Sequence, residues 1–243
     1  LRAILLMEAD FNYMNKWIFG HEAINKMYAL GYVAEDQYSQ KESTAEDARL
    51  DNRLTMDLSR QLRHPLATMS ADADKCYDRI NHIIMSLLLL AIIGTIGPVV
   101  AMLHPIQSMK FYQRTARGDS RSFMGGRDRD NPLQGLCQGN GAAPACWLIV
   151  SSVLMHCYKS RGFGSRIISP ISRVVIDFLG EIYVDDTDLI VTHPDLDSTA
   201  AVIESLYTSA DAWAAGLNST GGAINPEKSR WILASYEWVN GIW

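Results

Sequence analysis

The chain has few cysteines and no surplus of basic residues, and both shortages narrow the classes of protein it can belong to. Its four cysteines are neither closely paired nor spaced as in a zinc finger. We therefore expect no zinc site, and reduced, buried thiols in an intracellular protein of the nucleus or cytoplasm. The net charge is −5, which argues against nucleic-acid binding because proteins that hold a phosphate backbone usually carry a basic surplus. The cysteines are Cys76, Cys137, Cys146 and Cys157.

A long unbroken apolar run is also missing. The stretch from Ser86 to Leu103 carries no charge, but Gly94, Gly97 and Pro98 interrupt it. A bilayer helix is normally longer and less broken, so we expect a helix, a turn and a second helix buried under a sheet. No charged leader precedes an apolar core, and the sequence therefore predicts neither a targeting signal nor a membrane partner.

The distribution of apolar residues predicts an α+β fold. Hydrophobic residues make up 48% and charged residues 20% of the chain, values typical of a globular protein with a real core. Apolar periodicity and breaker residues then place the elements. Helices are predicted over 12–30, 45–62, 79–93, 106–117, 142–158 and 198–216, and strands over 66–72, 173–191 (a hairpin) and 231–233.

Three helix starts carry capping signals. The run Ser43-Thr44-Ala45-Glu46 has the spacing of a capping box. Asp78 is placed to cap a helix that begins at Arg79, and Asp197 or Ser198 to cap the helix that follows them.

Two adjacent carboxylates stand between two apolar runs near the end of the chain. Asp185 and Asp186 follow Ile182-Tyr183-Val184 and precede Leu189-Ile190-Val191. Neighbouring carboxylates on a tight turn repel each other unless a hard divalent cation lies between them. Such a cation serves phosphoryl transfer. The alternative is an ordinary hairpin turn, in which Asp is common.

A second acidic strand end lies upstream. Asp72, Asp74 and Asp78 follow an apolar, strand-like run. Two strands that each deliver a carboxylate to one point can hold two cations ~4 Å apart, the arrangement that stabilises the attacking and leaving oxygens in nucleotidyl transfer. Asp74 lies where the chain should turn, so we do not count it as a ligand. An EF-hand calcium loop that begins at Asp72 is excluded. Its sixth position lacks the required Gly, and its twelfth is Ile83 instead of Glu.

Three segments resemble the A, B and C motifs of reverse transcriptases, in the family's order. They are 72–78, 138–144 (Gln-Gly-Asn-Gly-Ala-Ala-Pro) and 183–186 (Tyr-Val-Asp-Asp), and the non-LTR retrotransposon and group II intron types are the most similar. The segment 222–228 resembles motif D. The resemblance covers most of the chain and implies a polymerase palm, with an antiparallel sheet backed by helices, plus partial fingers.

The resemblance assigns a role to each carboxylate of these motifs. Asp72 and Asp185 would ligate two Mg²⁺ ions, with Mn²⁺ as an alternative, and Asp186 would act as a further ligand or electrostatic partner. The implied activity is RNA-directed DNA synthesis, in which dNTPs are transferred to the 3′-hydroxyl of a DNA primer on an RNA template.

The resemblance also implies contacts to the incoming nucleotide. Tyr77 holds the position at which an aromatic ring of the family, the gate, excludes the ribose 2′-hydroxyl of an incoming nucleotide. The alternative is that Tyr77 is a tyrosine of the core. Lys228 would give a proton to the leaving pyrophosphate, or is a surface lysine. Arg2 would grip the triphosphate, since a guanidinium binds phosphate oxygens in a bidentate way. The predicted nucleotide contacts are Arg2, Ala73, Tyr77, Gln138, Gly139 and Lys228.

One basic strip offsets the acidic balance. The segment from Lys110 to Arg129 holds six basic residues against Asp119 and Asp128, and such a strip can hold a phosphate backbone. The alternative is a solvated loop with charges of both signs. One fingers motif departs from the family, because Ser39-Gln40 stand where Gly-Phe is usual, which weakens the expected template contact. The predicted nucleic-acid contacts are Arg114, Arg117 and Arg121.

We expect fingers at 1–66 and a palm at 67–243, with a basic segment inserted at about 106–135. A thumb follows the palm in the resembled family, and too few residues follow Lys228 to form one. The chain is therefore expected to be a fragment or truncated copy whose other domains come from flanking sequence. The alternative function is a catalytically inactive, nucleic-acid-binding remnant of a mobile element.

Overall fold

The computed structural model describes residues 4, 6–130, 133–193 and 198–240. The chain forms two compact units, each drawn from two separate stretches. The first unit combines Leu1–Tyr32 with Lys75–Val150, and the second combines Val33–Asp74 with Ser151–Trp243. The division into fingers (1–66) and palm (67–243) is a functional one and stays a prediction.

Helices and strands alternate irregularly along the chain, as in an α+β protein. The helices are α1 (Ala9–Trp17), α2 (Ile24–Ala29), α3 (Ala45–Leu62), α4 (Cys76–Arg79), α5 (His82–Ile93), α6 (Ile96–Ser108), α7 (Ala143–Ser160) and α8 (Thr199–Ser219), with a π-helical turn (Ile18–Ala23) between α1 and α2. The strands are β1 (Leu66–Asp72), β2 (Lys110–Thr115), β3 (Gly118–Gly125), β4 (Ser165–Ile168), β5 (Val175–Phe178), β6 (Gly180–Tyr183), β7 (Asp186–Val191) and β8 (Arg230–Ala234).

A four-stranded antiparallel sheet organises the second unit. Its strand order is β6-β7-β1-β8, so β1 lies inside the sheet and is antiparallel to both neighbours. Helix α8 packs on β1 and β7, while α3 contacts β6 and β8. The buried residues of α8 are Val202, Leu206, Ser209, Trp213 and Leu217. The predicted α+β class, an antiparallel sheet backed by helices, is confirmed.

The first unit is mainly helical. Helices α5 and α6 pack against each other, and α5 also contacts α2 and the π-helical turn. Ile83, Leu87 and Val100 are more than half exposed, so the predicted burial of the two helices holds for one face of each only. Within the described ranges, no helix is both long and apolar enough to cross a bilayer.

The prediction of one helix over 106–117 is wrong. Helix α6 ends at Ser108, Met109 is extended with φ −66° and ψ 142°, and β2 and β3 then form a hairpin. Aromatic residues such as Phe111 and Tyr112 favour strands. The pairing with β3, which the local pattern does not reveal, decides the conformation.

The predicted caps are partly corrected. The capping box of α3 starts one residue later than expected, at Thr44, whose hydroxyl accepts from the Asp47 N–H while Asp47 accepts from the Thr44 N–H. Asp78 caps no helix, because it lies inside α4, and Asn81 caps α5 instead. Ser198 caps α8, whereas Asp197 lies outside the described residues.

The four thiols are free, as predicted, but their burial differs from the expectation at one position. Cys76, Cys137 and Cys146 are buried, while Cys157 is exposed.

Candidate active site

The hairpin of β6 and β7 presents the paired carboxylates. Tyr183 pairs with Asp186, which leaves Val184 and Asp185 as a two-residue turn. Val184 has φ +59°, a conformation that β-branched residues rarely adopt, although hairpin turns of the primed types require it at their first central position. Such strained positions occur where the surrounding structure holds them in place, often at functional sites.

The strand register brings the second acidic strand end to this turn. Asp72, the last residue of β1, pairs with Asp186, the first residue of β7. The N–H of Ala73 donates to the carbonyl oxygen of Asp185 over 3.2 Å. Three carboxylates predicted from two distant segments therefore lie at one end of the sheet. Ala73 itself, a predicted nucleotide contact, has a buried side chain and uses its amide within the protein.

The segment that resembles motif D runs beside the end of β1. The N–H of Asp74 donates to the Ala223 carbonyl over 2.8 Å, and the N–H of Asn225 donates to the Asp72 carbonyl over 2.8 Å. The Asp72 N–H donates to the hydroxyl of Ser229 over 3.2 Å. The sequence did not single out Ser229, because a serine after a turn carries no signal of a partner so far away in the chain.

Lys228 reaches the acidic cluster, as the resemblance implied. Its Nζ lies 3.4 Å from Oδ2 of Asp72, and the Asp72 side chain is only 15% exposed. The pKa of Asp186 is raised, first by burial and then by the carboxylates of Asp185, Asp72 and Asp188, while Lys228 opposes the shift. The cluster therefore carries excess negative charge that one lysine only partly offsets.

This donor set suits a hard divalent cation in charge and in atom type. Carboxylate oxygens are the ligands that Mg²⁺ and Mn²⁺ prefer, and burial, followed by the neighbouring carboxylates, raises the pKa of Asp186. Among the described residues, however, no three His, Cys, Asp or Glu side chains are already arranged as a metal-binding group. The ammonium of Lys228 supplies the positive charge beside Asp72.

The residues predicted from motif B, together with Tyr77, belong to the first unit. The carbonyl of Tyr77 accepts hydrogen bonds from the N–H groups of Leu136 (2.8 Å) and Cys137 (3.3 Å). These bonds join the end of motif A to the two residues that precede motif B. Gln138 is half-buried, and Gly139 is exposed with φ +104°.

Two glycines of this segment pack closely against the protein's own backbone. Gly135 has φ +68°, and a Cβ there would lie 2.3 Å from the carbonyl carbon of Asp78. A Cβ on Gly141 would lie 2.8 Å from the carbonyl oxygen of Asn12. Both close approaches are to backbone atoms of the chain, so these two glycines allow the segment to pack within the first unit.

The predicted nucleic-acid contacts lie on the exposed hairpin of β2 and β3. Arg114 makes a bidentate pair with Asp119, with Nε to Oδ1 at 2.8 Å and Nη2 to Oδ2 at 3.2 Å. This pair raises the pKa of Arg114 and lowers that of Asp119. Arg117 lies in the turn and Arg121 in β3, both exposed. Arg2, predicted to bind triphosphate, lies outside the described residues.

A buried acid lies farther along the same hairpin. Glu181 pairs with Asp188 across β6 and β7, and the Asn52 side-chain amide donates to Glu181 (3.3 Å) and Asp188 (3.4 Å). Burial, followed by the charge of Asp188, raises the pKa of Glu181 to about 8. The sequence did not reveal this residue, because only the strand register brings the two acids together.

The stability of the protein should therefore depend on the protonation of Glu181. The folded state holds this proton up to a pH of about 8, whereas the unfolded chain loses it near pH 4.5. Stability should fall as the pH rises through this window. At pH 9, Glu181→Gln should be more stable than the natural protein by ~1–3 kcal/mol, the cost of a poorly paired buried charge, and at pH 4.5 the two should be equal.

Urea unfolding at both pH values measures this difference. Glu204→Gln, a change of an exposed glutamate on α8, is the matched control and should show no such pH dependence. An equal effect of Glu181→Gln at pH 4.5 and 9 would contradict the assignment.

The sequence matches no protein-family model and no curated protein significantly. The structure, in contrast, is similar to solved structures of yeast telomerases. Telomerase from Candida albicans, bound to a TWJ fragment of telomeric RNA, is 17% identical with a TM-score of 0.52, and the match covers 88% of this chain and 34% of that one. Apo telomerase from Candida tropicalis is 15% identical with a TM-score of 0.57, covering 89% and 36%.

A second Candida tropicalis structure, also with a TWJ fragment of telomeric RNA, is 15% identical with a TM-score of 0.56, covering 92% of this chain and 35% of that one. Telomerase is a member of the reverse transcriptase family, so the chain has a reverse-transcriptase-like fold. The chain spans between a third and two fifths of the telomerase chains it matches. At this level of identity the likeness concerns the fold alone.

Proposed function

We propose that the chain is the catalytic part of an RNA-directed DNA polymerase of a mobile genetic element. The observation that carries this proposal is the register of β1 and β7, which pairs Asp72 with Asp186 beside the turn that holds Asp185. Three carboxylates at one sheet end, on a reverse-transcriptase-like fold, are suited to nucleotidyl transfer.

The proposed roles follow from position. Asp72 and Asp185 would hold two Mg²⁺ ions, and Asp186, whose pKa is raised, would add negative charge beside them. When bound, the ions lower the pKa of the primer 3′-hydroxyl and neutralise the triphosphate. Lys228, whose Nζ lies 3.4 Å from Oδ2 of Asp72, would give a proton to the leaving pyrophosphate.

The partners of this reaction are an RNA template, a DNA primer and dNTPs. Two of the telomerase structures contain a fragment of telomeric RNA, which supports an RNA partner. Arg117 and Arg121 are exposed and available to bind phosphates. Arg114 would have to give up its ion pair with Asp119 to bind a phosphate. The motif resemblance supports the non-LTR or group II intron type, while the fold supports the reverse transcriptase class in general.

A second candidate is an inactive remnant that binds nucleic acid. Two observations favour it: the net charge of −5 and the ion pair of Lys228 with Asp72, which neutralises a predicted metal ligand. The two candidates differ in one measurable property, metal-dependent synthesis.

The test is extension of a DNA primer on an RNA template in the presence of Mg²⁺, using the chain together with any sequence that flanks it in its natural protein. Extension supports the polymerase. A folded protein that binds RNA without extending the primer, in Mg²⁺ and in Mn²⁺, would refute the polymerase and support the remnant.

Tyr77 provides a test of sugar selection. If its ring excludes the ribose 2′-hydroxyl, Tyr77→Val should raise the use of rNTPs relative to dNTPs by at least about tenfold. The gain or loss of one small apolar contact changes the discrimination between two substrates by about this factor. Single-nucleotide incorporation with each substrate gives the ratio. Tyr207→Val, at an exposed tyrosine of α8, is the control. An unchanged ratio in Tyr77→Val would exclude the gate.

A further inference from the structure

A short segment before α3 runs beside the strand that leads to the acidic turn. The N–H of Ile182 donates to the Asp36 carbonyl over 3.0 Å, and the N–H of Tyr38 donates to the Ile182 carbonyl over 2.8 Å. This parallel bridge extends β6 on the side away from β7. Ser39, the next residue, is thereby brought level with the turn.

The side chain of Ser39 binds the turn directly. Its Oγ accepts a hydrogen bond from the N–H of Val184, the residue with φ +59° that precedes Asp185. A hydrogen bond at this amide restrains the peptide between Tyr183 and Val184, and so the turn that holds Asp185. The turn is thus held from two directions, since the Ala73 N–H binds the Asp185 carbonyl on its other side.

Ser39 is itself held by buried groups. Its N–H donates to the side-chain oxygen of Gln37 over 3.1 Å, and the Gln37 amide donates to the Ser151 hydroxyl over 2.7 Å. Gln37 and Ser151 are buried, with 1% and 0% exposure. In addition, the hydroxyl of Tyr38 donates to Asp51 on α3. Because these anchors lie in the core, the Ser39 hydroxyl has a defined position.

We propose that Ser39 is a positioning residue that holds the Val184-Asp185 turn in place and so sets the position of the Asp185 carboxylate. Ser39 stands where the resembled motif usually has glycine, which has no side chain to accept this bond. Ser39 belongs to the fingers motif that usually contacts the template. In this chain a residue of that motif therefore supports the turn. The catalytic consequence rests on the proposed function, whereas the structural contact does not.

The contact is tested first by hydrogen exchange of the Val184 amide, measured by NMR on the folded protein. Losing a hydrogen bond worth ~1 kcal/mol makes an amide exchange roughly five- to tenfold faster, and we expect this change in Ser39→Ala. Ser39→Thr keeps the hydroxyl and should retain the natural rate. Ser43→Ala, a nearby serine whose side chain takes no part in this network, should also exchange at the natural rate.

Primer extension then tests the positioning role. Ser39→Ala should lower kcat about tenfold or more, because a small displacement of a catalytic group costs rate, while KM for dNTP stays unchanged, and Ser39→Thr should restore kcat. Unchanged exchange in Ser39→Ala, or faster exchange with unchanged kcat, would overturn the proposal. If the natural protein has no polymerase activity, the proposed function fails, and the exchange rate alone then decides whether Ser39 holds the turn.

Discussion

Replacing Asp185 with Asn should abolish Mg²⁺-dependent primer extension while leaving the protein folded. The carboxylate is the group proposed to hold metal, and an amide carries no negative charge to replace it. The loss of kcat should be at least ~10²-fold, the scale on which removing a single preorganised electrostatic contact slows an enzyme. The fold should survive, because the Asp185 backbone carbonyl, which the substitution does not change, accepts the hydrogen bond from the N–H of Ala73, the residue after β1.

The stability of Asp185→Asn should be at least that of the natural protein. The Asp185 carboxylate is one of the groups that raise the pKa of Asp186, so its removal relieves repulsion in the cluster. Asp211→Asn, at an exposed aspartate on α8, removes the same charge at a distance and is the matched control. Circular dichroism and urea unfolding report the fold, and primer extension reports kcat. Full activity of a folded Asp185→Asn protein would exclude the proposed site.

Replacing Gly180 with Ala should destabilise the protein by at least ~3 kcal/mol, the range of severe steric overlap in a core. Gly180 starts β6 with φ +132°, a conformation that is essentially restricted to glycine. A Cβ would lie 1.8 Å from the carbonyl oxygen of Asp188 and 2.9 Å from the Cα of Leu189. Both contacts are to the backbone of the paired strand, which cannot move without breaking the hairpin that carries the carboxylates.

Gly97→Ala is the matched control for this change. Gly97 lies in the first turn of α6, and a Cβ there would meet no atom within 4 Å. Since alanine is the better helix former by up to ~1 kcal/mol, this variant should be as stable as the natural protein or slightly more stable. Thermal unfolding of both variants measures the contrast. A Gly180→Ala protein with natural stability would show that the backbone of β7 can move aside.

The elements with local signals were predictable from the sequence. Strand β1 ends at Asp72 as expected, because an apolar run followed by polar residues marks a strand end. Helix α3 ends at Leu62 as expected, because Pro65 cannot continue a helix. The cap of α8 at Ser198 likewise follows from a local signal. In each case the information lies within a few residues of the feature.

Features set by pairing between distant segments were not predictable. The convergence of Asp72 with Asp186 was expected from the resemblance, but their direct register is a property of the assembled sheet. The bonds of Ser39 to Val184 and of Ser229 to Asp72 join residues far apart in the chain. Strand β2 lies within the segment predicted as a helix over 106–117, because its pairing with β3 decides the conformation and the local pattern does not reveal that pairing.

The interleaving of the two units has a consequence for how the protein is made. Because the first unit resumes at Lys75 and closes only at Val150, while the second opens at Val33 and resumes at Ser151, neither can mature on the ribosome before most of the chain has emerged. A protease cut at residue 66 would separate α3 and the Ser39 segment from the sheet they contact. Fingers and palm expressed as contiguous pieces would therefore each contain an incomplete unit.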